Sequence, residues 1–218
     1  MIITDKTFYQ QRFTTKELAE KQFLRCHFYQ CDFSRLDLTD TSFVACRFIE
    51  SGSEQGCNFN YADLHDASFK QCQIALASFV GADCFGIEFR ECDLKGANFS
   101  KARFANQISR NSYFCSAYIT GCNLSYANFE YQCIEKCDLF ENRWLGTNLH
   151  GASFAGSDLS RGEFSETSWS QFNLQGCDLT NTDLTGLDVR RVNLTGVKIC
   201  DWQQQQLLEQ VGLVVLPT

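Results

Sequence analysis

Residues 62–81 read ADLHD, ASFKQ, CQIAL, ASFVG, and residues 87–106 continue with IEFRE, CDLKG, ANFSK, ARFAN. Nearly every unit of five opens on a small residue, places a polar one second and sets Phe, Leu or Ile third. Two variable, mostly polar residues close it. The register extends outward in both directions. Every fifth residue from Phe8 to Phe48 is Phe or Leu. After one change of phase, every fifth residue from Phe59 to Ile199 is large and apolar, with Cys84 and Ser109 the exceptions. Seventeen of the 20 Phe residues stand in these slots, so the phase is not a product of composition. Internal repetition of this kind sets the architecture before any local propensity does.

A period of five matches neither the 3.6 of an amphipathic helix nor the 2 of a half-buried strand. It suits a chain that turns one corner per unit. The third residue and the small residue two before it then point inward, and the other three point out. Four such sides make a square coil of about twenty residues, and stacked coils share main-chain hydrogen bonds at the inter-strand spacing of about 4.8 Å. No single coil buries its apolar face alone, so stacking supplies the core. The slots predict nine to ten coils and a rod of roughly 45 Å.

Composition agrees. The one proline, Pro217, lies outside the repeat, as a ladder that uses nearly every N–H requires. Thirteen cysteines in a secreted chain would suggest a disulfide framework. Here nine of them, Cys26, Cys31 and Cys46 among them, occupy the small inward slot that Ala fills elsewhere, and are read as small buried hydrophobes. Cys133 and Cys137 are spaced CxxxC, but only Cys137 is expected to point inward. With His27, His65 and His150 scattered, no zinc pattern emerges.

Residues 1–24 carry weaker units, with Lys6, Gln11, Lys16 and Lys21 in the small slot; they are expected to form an open polar cap over the first coil edge. The repeat breaks at Ile49–Gly56, where Phe48 and Phe59 stand eleven residues apart. A closed coil cannot absorb the excess, so this segment is expected to bulge outward. Between Ala105 and Ser116 the count of five persists, yet Gln107 and Ser109 stand where a small and a core residue belong. Buried there, they would lack partners, which predicts a second, longer loop. Two loops on a regular rod offer specific recognition through Glu50, Ser51, Gly52, Ser53, Glu54, Gln55 and Gly56, and through Asn106, Gln107, Ile108, Ser109, Arg110, Asn111, Ser112 and Tyr113. Trp144 and Trp169 fall in central slots, where their indole N–H groups need acceptors. The tail abandons the period. Asp201 is placed to cap a helix over Trp202–Val211 that Gly212 stops, and Leu213–Leu216 reads as a strand. Its apolar residues, Trp202, Leu207, Leu208, Val211, Leu213, Val214, Val215 and Leu216, are expected to cover the open end of the solenoid as a twofold dimer interface. The organisation expected is a repeat domain over 1–200, interrupted by loops 49–56 and 105–116, and a dimerisation segment over 201–218.

Net charge is −7 over 218 residues, and residues 111–189 hold ten acidic and three basic residues. Asp138, Asp158 and Asp178 stand twenty residues apart, which in a four-sided coil stacks them on one face about 4.8 Å apart; Glu163 and Asp183 are expected to pair in parallel beside them. These aspartates either hydrogen-bond the turning backbone or form a negative stripe that imitates a phosphate backbone; the two roles are compatible. A sequence pI of about 5.0 speaks against direct nucleic-acid binding and favours a basic partner. No apolar stretch approaches membrane-spanning length, no leader is evident, and a cytoplasmic setting is expected. The motifs of phosphate, dinucleotide, zinc-hydrolase and serine-hydrolase sites are missing, so no enzyme activity, cofactor or metal is expected.

The five-residue unit resembles the A(D/N)LXX pattern of pentapeptide-repeat proteins, and that resemblance implies an all-β solenoid, a right-handed quadrilateral β-helix. More narrowly, RFIESGSEQGCNFNYADLHDASF, GIEFRECDLKGANFSKARF, YFCSAYITGCNLSYANF, ENRW and the ending VKICDWQQQQLLEQVGLVVLP resemble the Qnr family. The resemblance implies a bacterial, rod-shaped homodimer that engages DNA gyrase and topoisomerase IV and protects them from quinolones, with both loops as specific contacts and the acidic face as a DNA-like surface. Two other classes stay open on the residues themselves: a pentapeptide-repeat scaffold for another basic protein, and a β-helical polysaccharide-cleaving enzyme.

Overall fold

A computed structural model of the chain describes residues 1–18, 20–110 and 112–216. Ile2, Gln22, Ser42, Ser68, Glu88, Tyr118, Asp138, Asp158, Asp178 and Lys198 occupy successive rungs of one parallel ladder. Ten rungs delimit nine coils, a rod of about 43 Å at the usual strand spacing. The fold is the right-handed quadrilateral β-helix that the repeat implies. Its walls are short parallel strands such as Gln22–Leu24, Ser42–Val44, Ser68–Lys70 and Ile87–Arg90, linked between them by single-residue bridges.

Many corners share one chemistry, while at others, such as those before Cys122 and Cys137, the N–H donates instead to Asn142 Oδ1 or Ser157 Oγ on the next coil. Ala67 N–H donates to Leu64 O at 3.0 Å, and the residue before it, Asp66, has φ +54°; this is the type II pattern of a β-turn with a left-handed third residue. The aspartate or asparagine in the second slot braces the turn. Asp63 Oδ1 accepts His65 N–H at 3.1 Å and Asn98 Oδ1 accepts Ser100 N–H at 3.0 Å. That is why the repeat favours these two residues in that slot. The left-handed residue is held in turn by its own N–H, as when Asp66 donates to Phe85 O of the following coil at 3.1 Å.

The third residues fill the interior. Phe59, Phe79, Phe99 and Phe129 form one column with centroids 5.0, 4.7 and 4.6 Å apart, and neighbouring columns meet edge to face, as at Phe79 and Phe89, 5.7 Å and 78°. Burial of each ring contributes about 1.5–3 kcal/mol. Cys84 is fully buried and fills its slot as a small apolar group. The small inward slot explains the cysteines: Cys46 Sγ–H lies 3.4 Å from Phe23 O on the coil before. Thr147 and Ser157 do the same with hydroxyls, donating to Leu124 O and Ile134 O at 2.8 and 2.9 Å. Every described cysteine is a free thiol.

The first coil closes more fully than an open cap. Ile2–Thr4 pairs with Gln22–Leu24, one helical turn at Thr15–Leu18 buries Leu18, and Glu17 accepts from Thr14 N–H and Oγ–H at 2.7 and 2.8 Å. At the far end a 3₁₀ turn, Asp201–Gln203, leads into a helix over Gln204–Glu209. Gly212, φ +86°, ends it in a Schellman motif, with Leu213 N–H on Leu208 O at 3.2 Å and Gly212 N–H on Glu209 O at 3.0 Å. Leu213–Leu216 forms no ladder among the described residues, so the expected strand is not formed.

Coil partners stand twenty residues apart except at two places. Across the first interruption the offset is 26 residues, as between Ser42 and Ser68, and across the second it is 30, as between Glu88 and Tyr118. The insertions are therefore six and ten residues. Ten is two whole units, which is why the count of five survives the second one. Ser109 and Phe114, counted in phase, are both exposed and lie outside the core. The first loop, in the third coil, follows the face carrying His27, Arg47 and Gln73; the second, in the fifth coil, follows the face carrying Asp63, Asp83 and Arg103. These faces are opposite sides of the square, so the loops leave from diagonally opposite corners.

Candidate partner-binding surfaces

The six-residue excess folds into a compact turn. Ser53 N–H donates to Glu50 O at 3.0 Å around Gly52, φ +81°. Ser53 Oγ accepts Gln55 N–H and donates to Gln55 O, both at 3.1 Å. Glu50, Ser51, Gly52, Glu54 and Gln55 are exposed and Ser53 is half-buried. Gly56 is half-buried and tightly enclosed. A Cβ there would lie 2.5 Å from Leu76 C and 2.6 Å from Ala77 N, so its place is against the backbone of the next coil.

The second insertion is not an irregular loop but a hairpin. Ala105–Ser109 runs antiparallel to Ser112–Cys115, pairing Asn106 with Phe114 and Gln107 with Tyr113, with a bulge between Gln107 and Ser109. Asn106, Gln107, Ile108, Ser109, Arg110, Ser112 and Tyr113 are all exposed; Asn111 lies outside the described residues. Ile108, at 67% exposure, is an apolar tip. Two contacts unanticipated from sequence tie the hairpin to the rod. Phe114 sets its ring edge-on to Phe85, 5.0 Å and 86°, and Tyr113 Oη donates to Glu135 Oε2 at 3.0 Å. The appearance of Phe114 one residue from Tyr113, after two polar slots, was the available signal.

Asp138, Asp158 and Asp178 are neighbours on one ladder. Asp158 and Asp178 also accept backbone N–H groups two residues on, at 2.9 and 3.0 Å, so turn bracing and stacking coexist. Lys198 closes the stack, 3.9 Å from Asp178. A second stack, Asp37, Asp63 and Asp83, escaped the sequence reading because the chain there is less acidic overall; Arg103 closes it through Asp83. Glu163 does not pair with Asp183. It stands opposite Arg143 in the ladder, 3.3 Å away, and past Phe164 the wall is interrupted by the bends of residues 165–171. Asp183 instead accepts from Thr185 Oγ–H at 2.7 Å and Thr185 N–H at 3.0 Å, which holds its carboxyl below the usual range.

Both expected tryptophans are buried. Trp169 Nε1–H reaches Thr185 O at 2.9 Å, whereas Trp144 Nε1–H finds no acceptor among the described residues; its indole is enclosed by Phe129, Phe154 and Phe164. At the end of the rod, Gln203 is buried, donating to Leu179 O and Thr182 O at 2.9 and 2.7 Å. Leu207 turns inward against the core rather than outward with the other apolar residues. Trp202, Val211, Leu213, Val214 and Leu216 remain exposed, Leu208 and Val215 half-exposed. No helix of the described residues is long and apolar enough to cross a membrane.

Nine square coils built on a five-residue unit define a pentapeptide-repeat solenoid. Models described as pentapeptide repeat region and pentapeptide repeats match residues 21–99, and residues 97–131 and 163–196. The solved structure of full-length QnrB1, described as a plasmid-mediated fluoroquinolone resistance protein, superposes with a TM-score of 0.94 at 43% identity, covering 98% of this chain and all of that one. Pentapeptide repeat protein VPA0095 of Vibrio parahaemolyticus is 56% identical over 143 residues, 66% of each chain. Quinolone resistance pentapeptide repeat protein QnrB96 of Scandinavium goeteborgense is 45% identical over 144 residues, 66% of this chain and 65% of its own. These matches span just under two thirds of the curated relatives' lengths. The chain belongs to the Qnr family of pentapeptide-repeat proteins.

Proposed function

We propose that this protein binds a bacterial type II topoisomerase, DNA gyrase and also topoisomerase IV, in the cytoplasm and protects it from quinolones, acting by binding rather than by catalysis. The observation that carries this reading is the end-to-end correspondence with QnrB1. The hairpin and the shorter turn present exposed polar groups and the apolar tip Ile108 for specific contact. The acidic stacks offer one charge per coil, about 4.8 Å apart, against about 3.4 Å per phosphate along one DNA strand, so they suit a surface that otherwise receives DNA. The exposed apolar residues of the tail, with Leu213–Leu216 forming no ladder among the described residues, fit a twofold end-to-end dimer of two rods.

The test is gyrase supercoiling at an inhibitory quinolone dose, titrating in this protein and a variant lacking residues 106–115. Recovery of supercoiling by the intact protein and not by the variant is the expected result. If neither restores it while both remain folded, the topoisomerase reading is wrong and the chain is a scaffold for another basic partner.

A further inference from the structure

Ten of the thirteen thiols are sealed in the core, while Cys115, Cys133 and Cys200 are partly exposed. Two of these three meet. Cys115 closes the returning strand of the hairpin, Cys133 stands on the wall of the next coil, and their sulfurs are 3.8 Å apart. Cys115 Sγ–H is also 3.5 Å from Cys133 O. Closing the gap to a bond of about 2.05 Å asks each sulfur to move by less than about 1 Å, a side-chain adjustment at the base of the hairpin. Cys200 has no such partner; its sulfur lies 3.6 Å from Asn181 Oδ1.

From this geometry we infer that Cys115 and Cys133 are a dithiol site that a peroxide converts to a disulfide, riveting the hairpin to the rod. The chemistry of the pair supports the order of events. The neighbouring Cys115 lowers the Cys133 thiol, against the opposing effects of burial and of the Glu135 carboxylate. Cys133 thus supplies the thiolate, the reactive form. Its sulfur attacks one peroxide oxygen, the O–O bond breaks and hydroxide leaves, giving a sulfenic acid. Cys115 sulfur then attacks the sulfenic sulfur. The S–S bond forms, the S–O bond breaks, and the Cys115 proton with the departing and released hydroxides and the first thiol proton gives water. Two thiols lose two electrons and one peroxide becomes two waters. The core thiols are excluded by burial, which also pushes Cys57 and Cys137 up to about 12.

The experiment treats the intact protein with rising hydrogen peroxide, alkylates it under denaturing conditions and maps the cysteines by peptide mass. Two of the thirteen thiols are expected to disappear first, with the Cys115 and Cys133 peptides recovered as one linked species that dithiothreitol separates. Cys115→Ser is expected to abolish the link and leave a sulfenic acid on Cys133 that dimedone traps. Cys200 serves as the internal control, oxidising without an intramolecular link. The proposal is overturned if a different pair links, if the link joins two molecules, or if Cys115 and Cys133 stay reduced at peroxide levels that oxidise free glutathione. The wild-type map decides the matter even if a serine variant folds poorly.

Discussion

Tyr61 lies across the corner that Gly81 turns one coil further on, so closely that a Cβ on residue 81 would fall 2.5 Å from Tyr61 Cε1. Tyr126 covers Gly146 and Tyr131 covers Gly151 in the same way. At these three pairs a tyrosine at one left-handed corner leaves room only for glycine at the next. Gly81→Ala is expected to destabilise the rod by about 1–3 kcal/mol, from steric conflict added to the left-handed backbone at φ +67°. Adding Tyr61→Ala should recover the steric share and leave the backbone share; urea unfolding of the two single variants and the double separates them.

Trp144 fills its slot at the cost of an indole N–H without an acceptor among the described residues. Trp144→Phe keeps most of the ring and removes the orphan donor, so it should change stability by less than about 1.5 kcal/mol. Trp144→Ala should cost about 3–5 kcal/mol. Equal losses in chemical denaturation would show that the N–H is satisfied in solution.

Removing residues 106–115 joins Ala105 to Ser116 and restores the five-residue step from Phe104 to Ile119. Circular dichroism and melting should then stay close to those of the intact chain. Removing eight residues from the same place moves Ile119 out of phase, and should lower the melting temperature sharply or prevent folding.

Glu88 is partly buried, which opposes its ionisation, but Ser68, Lys70 and Arg90 outweigh burial and hold the carboxyl below its ordinary 4.5. A carboxyl lowered in the folded state stabilises above its unfolded value and loses that contribution as pH falls through the folded one. The gap in stability between the protein and Glu88→Gln should therefore be full near neutral pH and shrink below about pH 4.5. A gap that stays constant from pH 7 to 3 in urea titrations would contradict the assignment.

Gln203 satisfies two carbonyls at the rod end. Gln203→Ala leaves both without their donor, at about 1–3 kcal/mol each. Amides of Gln204–Glu209 should exchange faster with solvent, and the proposed end-to-end dimer should, in sedimentation, be weaker than that of the unaltered chain.

The solenoid was legible because inward positions recur without regard to local propensity: Phe59, Phe79 and Phe99 report one column at fixed intervals. What the period could not express lay where it is kept for another reason or abandoned. The ten-residue insertion keeps the count, so Phe114 passes for a core residue although it packs on Phe85 outside. Glu163 and Asp183 have the right spacing, but the turns and bends of 165–171 follow Glu163 and its ladder extends only back to Arg143, not on to Asp183. Leu207 and Leu208 look alike in a list of apolar tail residues; only the helix phase turns the first into the rod.

The two insertions leave diagonally opposite corners, two coils or about 10 Å apart along the axis. A flat wall laid against the rod can touch one of them and never both. Anything that grips both at once has to reach around the shaft, as jaws or a cleft do. Because one projection is a short turn and the other a longer hairpin, such a grip also has a polarity: the rod seats in it one way round, like a key cut on two edges.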